Sequence, residues 1–296
     1  MSLLIKGGRI VTAADDYVGD VLVEGEKIAM LGASLDGGSL NVGADRTIDA
    51  TGKIVMPGAI DPHTHLEMFF GGTTTCDDFT SGTAAAAFGG TTTLIDFCMQ
   101  TPGDTFAEAL AKYHEKIERC PPVIDVGFHI AVTDLKEGGT LEDLAKVPDE
   151  GVTSYKLFMA YKGAVMVDDE TLFKVMQTAS ETGGLVMVHA ENGDAIDILV
   201  KETVAAGHTD PVWHARSRPM ETEAEATNRA IQLAHIAGAP LYVVHVSCLP
   251  AVEPIALARE KGWKVWGETC TQYLFVDESM MEAPDWEGAK YIYTPP

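Results

Sequence analysis

The chain has 296 residues, 46% of them hydrophobic, and 44 acidic against 21 basic side chains, for a formal charge of -23. The length suits one large α/β domain with a small appendage, and the apolar fraction supports a buried core. Because the acids are scattered and phosphate binding needs a positive face, nucleic acid and anionic membrane are argued against as partners, and a neutral substrate suits the chain better than an anionic one.

In chain order, Met1-Ser-Leu-Leu-Ile5 is too short an apolar run for a signal peptide or a membrane span. Up to about residue 55 the sequence reads as short strands broken by turns: Leu3–Ile5, Gly7-Gly8, Arg9–Val11, Asp20–Val23, Glu24-Gly25, Lys27–Met30 and Gly37-Gly38. This predicts a small antiparallel β unit over residues 1–55. From Lys53 the rhythm becomes apolar strand, turn, helical stretch. Strands are expected at Ile54–Ile60, Thr91–Phe97, Ile124–Ile130, Val152–Phe158, Leu185–His189, Leu241–Val246 and Trp263–Glu268. Helical patterns lie at Thr105–Arg119, Asp169–Thr182, Glu221–Ala237 and Ala251–Lys261. With no glycine-rich dinucleotide fingerprint after the first strand, these units predict a (β/α)8 barrel over residues 56–296 with seven of its eight strands present. The five cysteines, Cys76, Cys98, Cys120, Cys248 and Cys270, are odd in number and lack CxxC spacing, which points to a reducing cytoplasm.

Candidate ligands fall at the ends of these strands. His63 and His65 lie two apart, so both project to one side of an extended segment, although an isolated HxH is equally a polar turn. His189 and His245 each close an apolar run, where a polar group must find a partner. Lys156 is a lone cation in Val152-Thr-Ser-Tyr-Lys-Leu-Phe-Met159. Buried, it would lose its proton readily and could capture carbon dioxide as a carbamate. Taken alone, it is better read as ion-paired or reaching to solvent.

Several motifs occur together in order: Asp61-Pro-His-Thr-His-Leu-Glu67, Gly71-Gly-Thr73, Asp77-Asp-Phe79, Tyr155-Lys-Leu-Phe-Met-Ala-Tyr161, Val188-His-Ala-Glu-Asn-Gly193, Ser217-Arg-Pro219 and Val244-His-Val-Ser247. Together they make the chain resemble the dihydropyrimidinase and D-hydantoinase group of the amidohydrolase superfamily, from about Leu3 to Pro296. The resemblance implies an α/β fold, a TIM-type barrel carrying a small β-sandwich unit, and a cytoplasmic homotetramer when full-length. It implies two divalent metal ions, zinc in most relatives, held by His63 and His65, by His189 and His245, and by carboxylated Lys156. Tyr161 matches a donor to the developing oxyanion, and Thr294 a residue whose backbone holds the substrate's ring amide. Leu66, Phe158 and Val165 match positions around the substrate's exocyclic group. The implied substrates are cyclic ureides, opened to N-carbamoyl amino acids.

The family's aspartate at the end of the eighth strand, both ligand and proton shuttle, would lie beyond Pro296. The 296-residue chain alone is therefore expected to be inactive. Alternative functions are a non-catalytic interaction protein of the same fold, as in the collapsin-response mediator proteins, or another cyclic amidohydrolase such as allantoinase. His114, His208, His214 and His235 read as surface or supporting residues, His129 as a support behind the site, and Glu221-Thr-Glu-Ala-Glu225 as the solvated first turn of a helix.

Overall fold

The computed structural model describes residues 1–35, 43–135 and 138–296, which divide into two units, Met1–Ile60 with Gly90–Thr92 and Asp61–Gly89 with Thr93–Pro296. In the first unit, β1 (Ser2–Val11), β2 (Asp16–Glu24) and β3 (Lys27–Gly32) form an antiparallel meander. Two short strands, β4 (Arg46–Asp49) and β5 (Ile54–Val55), add to β1 in parallel. The antiparallel sheet read from the turns is therefore present and extended into a mixed one. The expected turn at Gly7-Gly8 is instead a bulge inside β1: Gly7 takes φ +70, its N–H donates to Asp20 Oδ1 at 2.7 Å, and the register with β2 shifts between Ile5 and Gly8. The expected turn at Gly37-Gly38 lies outside the described residues.

The main sheet has seven strands. After β6 (Ala59–Thr64) comes a short hairpin of β7 (Phe69–Phe70) and β8 (Thr73–Thr74). The remaining strands are β9 (Thr91–Met99), β10 (Asp125–Ala131), β11 (Ser154–Phe158), β12 (Leu185–His189), β13 (Leu241–Val243) and β14 (Val265–Gly267). The order is β14-β13-β12-β11-β10-β9-β6, and the pairings from β9 to β14 are parallel. Each strand therefore lies beside its predecessor, the winding of a (β/α) barrel. Its helices are α1 (Phe79–Phe88), α2 (Phe106–Arg119), α3 (Leu141–Leu144), α4 (Asp169–Thr182), α5 (Gly193–Ala205), α6 (Val212–Arg216), α7 (Met220–Ala237) and α8 (Leu249–Glu260).

Most expected elements appear within a few residues of their predicted bounds, and β12 and α4 coincide with them. The first barrel strand does not. Ile54–Val55 pairs with β1, and the sheet strand begins only at Ala59. Between them Pro57 has no N–H to donate, and a Cβ on Gly58 would lie 2.2 Å from the Thr92 side chain, so the ladder changes partner there. The helix α1 carries no apolar stripe, and α6 is only five residues long. In α5, Ile198 and Val204 are both exposed, and the helix starts from its cap: Asn192 Oδ1 accepts from the Ala195 N–H at 3.0 Å.

Period two sorts the strand residues. Leu94 and Cys98, Tyr155 and Leu157, Val186 and Val188, and Leu241 and Val243 belong to the large core that includes residues of α2, α4, α7 and α8. Phe97, Met187 and Val244 form a separate inner cluster, and Lys156 and His189 share the inner parity. The entry to α5 is packed against the segment after β11, where the Gly193 N–H donates to Met159 O at 3.1 Å. A Cβ on Gly193 would lie 2.7 Å from Ala160 Cα and 2.8 Å from Met159 O, both backbone atoms. Gly193→Ala is thus expected to lower stability by about 1–3 kcal/mol, measured as a reduced urea midpoint at unchanged m-value.

Candidate functional site

One cavity of about 380 Å³ gathers most of the candidate residues: His63, His65, Lys156, Phe158, Tyr161, His189, His245 and Thr294 all line it. Apart from Thr294, which follows the last helical turn of the chain, they lie on β6, β11 and β12 or in the segments just beyond β6, β11 and β13, toward the end at which barrel enzymes carry their sites. Beneath them lies Phe97 of β9, fully buried. Its ring meets those of His63 at 4.7 Å and His65 at 5.0 Å between centroids, and the Lys156 ammonium position lies 4.8 Å from its centre.

His189 Nδ1 and His245 Nε2 stand 3.0 Å apart, while His189 Nε2 is 2.6 Å from the buried Glu191 carboxylate. His63 Nδ1 is in contact with Glu268 Oε1, and the rings of His63 and His245 are 5.3 Å apart. His245 sits on the inner side through a break in parity. The strand ends at Val243, and His245 itself takes φ +42. Tyr161 also has left-handed backbone, φ +68, and its carbonyl accepts the N–H groups of Ala164 at 3.0 Å and Val165 at 3.2 Å.

Burial dominates the electrostatics. It lowers the pKa of His63, partly offset by Glu268, and that of His189, partly offset by Glu191. His65 and His245 are driven well below the ordinary imidazole value by burial and by neighbouring cationic groups. Lys156, 1% exposed, falls from 10.5 to about 7 through desolvation. Burial raises the Tyr161 phenol, which keeps its proton and remains a donor.

This set fits divalent cations. Neutral imidazoles expose lone pairs, a neutral lysine can be carboxylated, and the buried Nδ1 atoms of His65 and His245 have no hydrogen-bonding partner among the described residues. Elsewhere, carboxylate and thiol donors of Glu67, Asp78 and Cys120 lie within 4.8 Å of one another. Those acids are already engaged, Glu67 by Arg119 and Asp78 as the N-cap of α1, accepting from the Ser81 N–H at 2.6 Å.

Leu66, Val165 and Glu223 lie elsewhere than expected, whereas His214 and His129 take supporting places. Leu66 is not at the cavity: it is buried in the large core, where a Cβ on Gly82 would meet its methyl at 2.5 Å, and its N–H donates to Asp96 Oδ2 at 2.8 Å. Val165 does not line the cavity either. Glu223, expected on a solvated turn, is 3% exposed and accepts from the Ser247 N–H at 3.0 Å and hydroxyl at 2.6 Å. His214 supports the site: its Nδ1 accepts from Arg218 at 3.1 Å, and its Nε2 is 2.8 Å from Tyr293 O and 3.1 Å from Thr294 Oγ1. His129 bonds Ser154 Oγ and, at 2.9 Å, the carbonyl of Pro62, holding β6 from behind. Asp96, Glu191 and Glu268 were not singled out. Asp96, like Lys156, is a lone charge in a largely apolar strand, which is a signal present in the sequence.

The amidohydrolase family profile matches residues 54–278. The chain belongs to the amidohydrolase family. Dependence on metal is general in this family. The chain is 55% identical to a D-hydantoinase of Geobacillus stearothermophilus over 297 aligned residues, covering all of this chain and 62% of that protein. It is 49% identical to a D-hydantoinase of Streptomyces coelicolor, covering 99% of this chain and 62% of the relative. The crystal structure of a dihydropyrimidinase from Brevibacillus agri superposes with a TM-score of 0.94 at 54% identity, covering all of this chain and 63% of that one. The chain thus spans about three fifths of the length of these relatives. Among the described residues, no helix is long and apolar enough to cross a membrane.

Lys156 makes the stability of the metal-free protein depend on pH. Unfolding returns it from about 7 to its ordinary 10.5, so between those values the unfolded chain binds more protons and stability rises with pH. In bicarbonate-free, metal-free buffer, denaturation should show the parent gaining on Lys156→Met by about 1 kcal/mol per pH unit across that window. Equal slopes would show that Lys156 is not held neutral.

Proposed function

We propose that the chain carries the site of a metal-dependent cyclic amidohydrolase that opens the ring amide of hydantoins or 5,6-dihydropyrimidines to N-carbamoyl amino acids. The observation that carries this reading is the convergence of four histidines and a buried lysine on one cavity rimmed by Tyr161 and Thr294. The high identity to proteins named D-hydantoinase supports the substrate class. The barrel would run from about residue 56 and the β unit over residues 1–55.

His63 and His65 would hold one divalent ion, zinc in the first instance, and His189 and His245 a second, with Lys156 between the pairs. The buried Lys156 amine suits addition to carbon dioxide, which forms an N–C bond, releases a proton and leaves an anionic carbamate in place of the neutral amine. Metal ions held there would supply a water acidic enough to attack at neutral pH and would polarise the amide carbonyl.

The chain's own groups then orient the ring. The Tyr161 phenol donates to the carbonyl oxygen as negative charge develops on it. His214, itself held by Arg218, fixes the Tyr293–Thr294 backbone that faces the ring amide. Phe158, Phe70 and Met99 form an apolar wall that suits a small or apolar substituent and keeps bulk water from it. Overall, water adds across the ring C–N bond, the carbonyl carbon becomes a carboxylate, and the released nitrogen takes a proton into the ureido group. A neutral substrate suits the acidic chain, and the unpaired cysteines suit a reducing cytoplasm.

Calorimetry with Zn²⁺ or Co²⁺ should give about two ions per site, and His189→Ala and His245→Ala should each lose one of them. Hydantoin and dihydrouracil opening, followed by loss of ring absorbance in the protein that carries this chain, tests the activity. Full activity in a metal-stripped preparation would overturn the reading. Tyr161→Phe should lower kcat by about 10²–10³ with a smaller change in KM.

A further inference from the structure

We propose that Glu268 is a positioning residue, holding His63 by Nδ1 so that Nε2 is presented to the cavity. His63 lies on β6 and Glu268 one residue past β14, the two end strands of the seven-stranded sheet. Their side-chain contact therefore joins the two ends of the sheet across the inner face. Both carboxylate oxygens are used, Oε1 on His63 and Oε2 accepting from the Tyr242 hydroxyl at 3.1 Å. The backbone of Glu268 is fixed as well, its N–H donating to Val243 O at 3.0 Å and its carbonyl accepting from the Val246 N–H at 2.7 Å.

A carboxylate held this firmly accepts hydrogen bonds only, so a neutral His63 places its single proton on Nδ1 and keeps its lone pair on Nε2. Ring packing against Phe97 at 4.7 Å and His65 at 5.2 Å leaves the imidazole little room to turn. Without Glu268 the ring could carry its proton on either nitrogen, and the tautomer protonated on Nε2 would offer the cavity no lone pair. The role in metal binding rests on the function proposed above. The tautomer claim stands apart from it.

The test uses the full chain with ¹³C,¹⁵N-labelled histidine, metal-free, with the His63 signals assigned from a His63→Asn spectrum. Parent protein should show Nδ1–H and an unprotonated Nε2. Glu268→Ala should shift His63 toward mixed tautomers and weaken Zn²⁺ binding by about 10–100-fold, with Glu268→Gln, which keeps an acceptor oxygen, falling between. Tyr242→Phe, which leaves the His63 contact in place, should keep the parent tautomer and serves as the control for fold. An unchanged His63 tautomer in both Glu268 variants would overturn the proposal. A tautomer that moves in a protein that binds no cation would sustain the positioning role while rejecting the metal site.

Discussion

Everything at the mouth of the sheet follows from the desolvation of five basic side chains, three of them packed against a ring that cannot hydrogen-bond. Phe97 occupies the position beneath His63, His65 and Lys156, and water that would otherwise solvate their charges is displaced. Charged imidazolium or ammonium groups are costly there, so the cluster is driven toward neutral nitrogen donors. A fold that merely needed stability would gain by replacing them with apolar residues of the same volume. Their retention in the inner layer is the physical reason to look for a ligand.

The neighbouring acids make that arrangement specific. Glu191 and Glu268 each take one nitrogen of a histidine, and Asp96 holds the intervening backbone by accepting from the Thr64 hydroxyl at 2.9 Å and the Leu66 N–H. Burial raises the Asp96 carboxyl to about 7 despite these bonds, so the support behind β6 is itself under strain from desolvation. The supporting carboxylates thus act from both sides, Glu191 and Glu268 on the histidines directly and Asp96 from the helix-facing side of β9 through Oδ2 alone, a pattern that fixes geometry more than it adds stability.

The barrel winding was legible because each strand is a short run of buried-type residues followed by a longer helical run, two of those runs with a capped start, Thr105 before α2 and Asp168 before α4. The candidate donors were legible because a polar residue ending an apolar strand is anomalous. Leu66 shows the limit of that reading: it adjoins His65 in sequence, yet the change of side at each residue turns it into the core. Glu223 and His214 show the converse, polar residues on helices whose inward direction depends on how α6 and α7 pack.

The sequence by itself determined the alternation of strand and helix, the acidic character, and which side chains are candidate donors, because these depend on residue type and on periods of 2 and 3.6. Only the tertiary structure decided which donors meet and by which atom. His245 has the wrong parity for the inner face and reaches it through a left-handed backbone turn, while His63 is met by a carboxylate 205 residues away. Such pairings arise from the closing of one sheet in space, a distance-independent fact that no local pattern along the chain encodes.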